Sequence, residues 1–334
     1  MKKFRTYAAI AMLSFLSVSC SKNTETELYQ SSRDNIINAK ALIHRIDLGD
    51  VFVGQYSYSS VYDDFIVLTD SRSYDKLINV FDKNTFEHII SFGDYGEGPA
   101  ELINIGEPIW NAEAREFYVP DYSKYVYLAY NFDSLLSNAN YKPYEKFKIK
   151  TDKISTNLNF LSDTFSIGMC IRPIGTNDFA PLTSIVDLKT GEMKTFNYIH
   201  PDIHKKRFDL AVSYDDNLIA ECAANYDLIS LLDMKGNLIK NIYGPQWGTT
   251  PLCCFGTSIF TKKYLVALYN GDIWEEHTPD RKCIIFTKQG DYIATLNLEY
   301  ATNSVCYDAD NDRLIFSFND EIQFGYLNIG ELNL

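Results

Sequence analysis

Two different hairpin turns recur in phase along this chain, and that pairing constrains its fold more than any total does. The first runs Tyr62-Asp63-Asp64-Phe65, then Trp110–Tyr118 around Ala112-Glu113, then Tyr214-Asp215-Asp216-Asn217, then Tyr307–Ile315 around Asp310-Asn311. The second runs Asp82-Lys83-Asn84-Thr85, then Asp187–Glu192, then Asp233-Met234-Lys235-Gly236-Asn237, then Thr287-Lys288-Gln289-Gly290. Asn, Asp and Gly suit such turns because they tolerate left-handed backbone, and Asn and Asp also bond their own main chain. Between the turns lie short apolar runs rich in β-branched and aromatic residues, the composition that packs on a pleated surface. Aromatic residues make up 14% of the 334 positions, which favours strands throughout.

The unit is four short strands repeating about every 40 residues, a period that indicates a propeller. Blades are expected near 51–104, 105–150, 151–205, 206–250, 251–300 and 301–334. The last holds only three strands, so Ala41–Leu48 is expected to supply its outer strand and close the ring, which also removes an exposed sheet edge. The predicted fold is therefore all-β, a single six-bladed β-propeller of four-stranded antiparallel blades over 41–334.

The chain's start reads differently. Lys2, Lys3 and Arg5 precede an apolar run, Tyr7–Val18, too short to span a bilayer. Small residues then lead to Cys20. Residues 1–19 are expected to be a lipoprotein signal peptide, with Cys20 lipidated and 20–40 a flexible polar tether. The formal charge is −13, and loss of the three basic residues of the signal takes it to −16. Nucleic-acid binding requires a basic footprint that is missing here, and membrane contact is expected through the lipid anchor alone. The other cysteines, Cys170, Cys222, Cys253, Cys254, Cys283 and Cys306, fall mostly in apolar strand-like runs and read as buried thiols.

The phrase Phe92-Gly93-Asp94-Tyr95-Gly96-Glu97-Gly98-Pro99-Ala100-Glu101-Leu102 resembles the FGxxGxGPxEF/L blade exit of six-bladed propeller lipoproteins of Bacteroidetes, the TolB-like/NHL-like group. The resemblance covers roughly 41–334 by blade pattern, while this motif occurs once. It implies a propeller in the cell envelope and little about chemistry; with the lipid anchor, the expected location is the outer membrane, on either its periplasmic or its surface face.

No catalytic motif stands out. Gly93–Gly98 lacks the helix and Lys-Ser/Thr of a phosphate loop, so it reads as a blade-to-blade crossing. Asp308-x-Asp310-x-Asp312 opens like a calcium loop but has Arg313 where Gly is needed, and reads as a solvated turn. His200 and His204 have a metal-ligand spacing broken by Pro201, and read as a surface loop; His44 and His88 read as strand residues. No cofactor is expected.

In a four-stranded meander, the second-to-third loops and the crossings emerge at one end. Here those loops are the long ones, and variable loops on a rigid scaffold carry function. The candidate ligand-binding residues on that face are Arg72, Tyr122, Arg172, Asn177, Trp247, Trp274 and Glu276. Trp247 and Trp274 are either aromatic platforms or residues that pack their loops down. The leading expectation is a monomeric, lipid-anchored binding or scaffold protein that takes an envelope protein or glycan there. Two alternatives stand beside it: a lactonase- or lyase-like enzyme with a metal on the axis, for which no convergent ligand set is assignable, and a glycan-binding component of a polysaccharide utilisation system.

Overall fold

The computed structural model describes residues 23–175, 178–203, 206–249, 252–273 and 282–334. It is a six-bladed propeller with one short α-helix, Phe132–Ser137. From the axis outward, blade 1 is Tyr58–Tyr62, Phe65–Thr69, Lys76–Asp82 and His88–Asp94. Blade 2 is Ile109–Asn111, Glu116–Asp121, Val126–Asn131 and Tyr144–Lys148. Blade 3 is Ile154–Ser162, Phe165–Gly175, Asp178–Asp187 and Glu192–Thr195. Blade 4 is Phe208–Ser213, Leu218–Ala223, Leu228–Asp233 and Leu238–Tyr243. Blade 5 is Leu252–Phe260, Tyr264–Ile273, Lys282–Thr287 and Tyr292–Asn297. Blade 6 is Thr302–Asp308, Arg313–Phe318 and Phe324–Asn328.

The middle strands are apolar on both faces because each blade is sandwiched between two others. The core is accordingly divided into slabs, one between each pair of neighbours. Phe117, Phe92 and Trp110 fill the slab between blades 1 and 2; Ile66, Phe81 and Ile315 fill the one between blades 6 and 1. All six cysteines after Cys20 are buried thiols in this packing.

The ring closes as the strand count requires. His44–Arg45 lies antiparallel to Phe324–Asn328, pairing His44 with Tyr326 and Arg45 with Gly325, and the Ile46 amide donates to the Phe324 carbonyl at 2.9 Å. A second lock joins blade 6 to blade 1. Asp308 is fully buried and holds Arg313 at 2.9 Å and the blade 1 residue Lys83 at 3.5 Å. The expected solvated turn at 308–312 is thus a turn whose first acid is a buried ion-pair centre, with Asn311 also donating to it at 2.7 Å.

The N-terminal stretch departs from the expected tether. Glu27–Tyr29 runs parallel to Leu238–Tyr243 as a fifth strand of blade 4, and Ile36–Asn38 runs parallel to Tyr292–Asn297 as a fifth strand of blade 5. With His44–Arg45 on blade 6, one segment covers three successive blade edges, whose unpaired amides and carbonyls it satisfies. Arg33, between the first two of these strands, inserts its guanidinium against Asp227 at 2.7 Å. Phe255, Tyr269 and Phe286 surround it, with ring centroids 5.3–5.7 Å from the guanidinium carbon.

The glycine-rich exit of blade 1 is structural. Glu101 curls back to accept the Gly98 amide at 2.7 Å. A Cβ at Gly96 would lie 2.1 Å from that carboxylate, so a side chain there would push Glu101 off the Gly98 amide. Lys124 ties the turn down by donating to the Gly98 and Glu101 carbonyls at 2.5 and 2.7 Å.

Candidate functional site: the central channel and its crossing face

The innermost strands of all six blades surround a cavity of ≈ 700 Å³ on the axis. Its wall alternates rings and small polar groups. Tyr58, Tyr62, Trp110, Tyr122, Phe160 and Tyr214 are among the rings, and Ser60, Asn157, Ser258, Asn303 and Ser304 are among the polar residues. Among the described residues two carboxylates line it, Glu107 and Asp209, and no Lys, Arg or His does.

Each acid is set by local structure. Glu107 lies on the crossing into blade 2, just before Pro108, and accepts a short hydrogen bond from the Ser60 hydroxyl of blade 1. Its side chain is open to the lumen but enclosed by protein. That enclosure pushes its pKa above the ordinary carboxylate range, with a smaller push from the charge of Asp209, against the Ser60 bond. Asp209 is the second residue of the inner strand of blade 4. Its Oδ2 accepts from the Ser258 amide and hydroxyl, both at 2.7 Å, and its Oδ1 from the Asn157 amide at 3.2 Å. Burial also raises its pKa, and the Ser258 bonds only partly offset this.

Asn157 reaches Asp209 because the inner strand of blade 3 bulges between Thr156 and Asn159. Asn157 sits there at φ 47°, a left-handed conformation that Asn adopts more readily than most residues. Nucleophilic groups in the wall are muted. Burial lifts the Cys306 thiol to about 12, and burial followed by the Glu107 charge lifts Tyr62 well above the usual phenol value.

Among the described residues no group of three or more His, Cys, Asp or Glu side chains converges as a metal site. In the lumen, Asp209 already has both oxygens engaged by protein donors, which leaves a hard cation such as Ca²⁺ well short of the six to eight oxygens it takes. Among the described residues the lumen shows no convergent ligand set for the axial metal of the enzyme alternative.

The long loops meet this channel at one end, where the inner strands begin. Seven aromatic residues are counted as exposed among the described residues, and six of them, Phe52, Tyr56, Tyr74, Tyr95, Tyr125 and Phe179, lie at this end of blades 1–3. Phe52 and Tyr74 are 97% and 90% exposed.

The sequence candidates sort as follows. Arg72 is exposed there with its guanidinium 4.0 Å over the Tyr56 ring, and Tyr74 meets Tyr95 edge-on at 5.9 Å. Tyr122 turns inward and lines the lumen over Gly106. Arg172 is exposed on the blade 3 hairpin. Trp247 is half-buried among Tyr243, His200 and Tyr226, with centroids at 4.7, 5.6 and 6.1 Å, so its ring packs its loop. His200 is buried, not part of a surface loop, and bonds the Tyr243 hydroxyl at 3.0 Å. Cys20, Asn177, His204, Trp274 and Glu276 lie outside the described residues.

No family model and no curated protein match this sequence. Solved structures do resemble it. An exported protein of Bacteroides fragilis superposes with TM-score 0.54 at 12% identity, covering 88% of each chain. A DUF4221 family member of Bacteroides vulgatus gives 0.57 at 12% identity, over 86% of this chain and 95% of that one. A calcium-binding protein, regucalcin, from Agrobacterium tumefaciens gives 0.55 at 8% identity, over 90% and 95%. The likeness is one of fold. Six-bladed propellers from exported Bacteroides proteins and from regucalcin share this architecture at identities too low to carry over a function.

Proposed function

We propose that this protein is a lipid-anchored binding module of the cell envelope, at the outer membrane, which takes a protein or glycan partner on its crossing face. The observation that carries the reading is the one-sided distribution of rings. Exposed Phe and Tyr with an Arg stacked among them form the composition that dominates binding hot spots. Packing within the propeller gives no reason to leave Phe52 and Tyr74 in solvent. Cys20 is the anchor, and only six residues separate it from Glu27, where pairing with blade 4 begins. The reach from lipid to propeller is then at most about 25 Å. That keeps the module against its membrane, so its partner is one found near the lipid surface.

The test compares the protein with a variant carrying Phe52→Ala and Tyr74→Ala, measuring retention of each by envelope fractions. Both side chains are solvent-exposed, so folding is preserved and retention falls at least tenfold. Unchanged retention by the folded variant removes the crossing face as the binding surface. Incorporation of a fatty-acid label that is lost in Cys20→Ser tests the anchor separately.

A further inference from the structure

We infer that the channel lumen is a binding site for a small organic cation, a ligand bearing a protonated amine, at a place distinct from the exposed crossing face and independent of what binds there. The argument is one of missing charge. Glu107 and Asp209 project into one open-ended cavity, near enough for the charge of one to act on the other, and among the described residues no basic side chain lines that space. An anionic ligand would add to uncompensated negative charge. A neutral ligand can donate hydroxyl hydrogen bonds to the two carboxylates but leaves their charge uncompensated. An ammonium group supplies the absent counter-charge and donates the hydrogen bonds that carboxylates and phenol oxygens accept.

The walls discriminate further. Tyr58, Tyr62, Trp110, Tyr122 and Phe160 present rings around the same volume, and a cation over an aromatic face is attracted by the ring quadrupole, most strongly when desolvated. A hydrated metal ion makes poor use of such walls. The cavity, ≈ 700 Å³, is far larger than an ion and within the range that holds small organic ligands. Tyr122 adds a hydroxyl with no hydrogen-bond partner among the described residues, beside the crossing-end mouth.

Asp209 is engaged by Ser258 and Asn157, which fixes its orientation. Glu107 accepts from the Ser60 hydroxyl, with Tyr62 beside it, and is the more exposed of the two acids and so the one with capacity left for a ligand. The left-handed Asn157 at the strand bulge serves to hold Asp209 toward the axis.

The experiment is titration calorimetry on the full chain in detergent, with putrescine and cadaverine as amine probes, galactose as a neutral probe and Ca²⁺ as a metal probe. The amines bind, the affinity falls with added salt, and Glu107→Gln weakens binding at least tenfold while leaving the thermal transition cooperative. Tyr122→Phe keeps the ring and loses less than threefold, because the carboxylate and the ring faces carry most of the affinity and the hydroxyl adds one neutral hydrogen bond. The Phe52→Ala, Tyr74→Ala variant binds amines like the parent. The inference is overturned by absent amine binding, by amine binding indifferent to Glu107→Gln, by galactose binding that Tyr122→Phe abolishes, or by Ca²⁺ displacing the amines at equal or lower concentration.

Discussion

Replacing Arg33 by Ala tests whether the N-terminal stretch belongs to the folded propeller. The side chains of Arg33 and Asp227 are 7% and 0% exposed, and their closest atoms are 2.7 Å apart. Removing one member of a buried pair leaves the other charge without compensation, which costs about 3–5 kcal/mol. Asp227 keeps two donors, the Gln246 amide at 3.1 Å and the Tyr269 hydroxyl at 3.3 Å, so the lower end applies, about 3 kcal/mol. The three rings around the guanidinium lose a desolvated cation as well, which holds the figure at that level even if the pocket relaxes.

In a domain of this size each kcal/mol moves the midpoint by about 2 °C, so Arg33→Ala melts about 6 °C below the parent by circular dichroism. Arg33→Lys falls between the two, since an ammonium keeps the charge but not the planar stacking. Arg33→Met combined with Asp227→Asn melts closer to the parent than Arg33→Ala does, because no charge is stranded. A midpoint for Arg33→Ala within about 1 °C of the parent, together with protease cleavage between residues 27 and 38 at native conditions, returns this stretch to the status of a tether and refutes the reasoning.

Two groups of carboxylates should give opposite pH signatures. Glu107 is held above its ordinary pKa by enclosure and by Asp209. The folded state therefore binds its proton more tightly than the unfolded one, and stability is lost as pH rises from the ordinary carboxylate range through the raised value. Glu107→Gln consequently melts above the parent at pH 7, and the gap closes as pH falls through about 4 in a series of melts. Asp308 is the reverse. Burial alone would raise its pKa, but the Asn311 bonds and the charges of Arg313 and Lys83 outweigh burial and lower it. Its contribution is present above the ordinary range and is lost as pH falls through the lowered value. Asp308→Asn strands the buried Arg313, while Lys83 keeps Asp310 at 2.5 Å; it costs about 3 kcal/mol at pH 7 by urea unfolding, and the deficit shrinks below about pH 4.

These residues also show where sequence reasoning reaches and where it stops. The blades were legible because a propeller repeats its turns, and turn chemistry is local: Asp82, Asp187 and Asp233 each bond amides within four residues. Closure by residues 41–48 was legible by counting strands. The fifth strands were not, since Glu27–Tyr29 and Ile36–Asn38 are three residues each in a polar stretch, too short to show a period. What holds them is Arg33 meeting an acid 194 positions away, a contact no window on the sequence contains.

The lumen acids were hidden for a related reason. Glu107, Asn157 and Asp209 come from three blades, and only the curvature of the ring brings them together. A local trace existed for Asp209, an acid inside the apolar run Phe208-Asp209-Leu210-Ala211, where burial would exclude a charge that had no use. The same logic applies to the ring as a whole. Lys83 with Asp308, and Arg33 with Asp227, place buried charge pairs at joints between blades, where apolar side chains of similar size would stabilise equally well or better. At the lumen neither carboxylate has an ion-pair partner among the described residues. A fold that pairs Asp308 and Asp227 with cations at two of its joints and leaves Glu107 and Asp209 unpaired on its axis has placed them where a counter-charge from outside can enter.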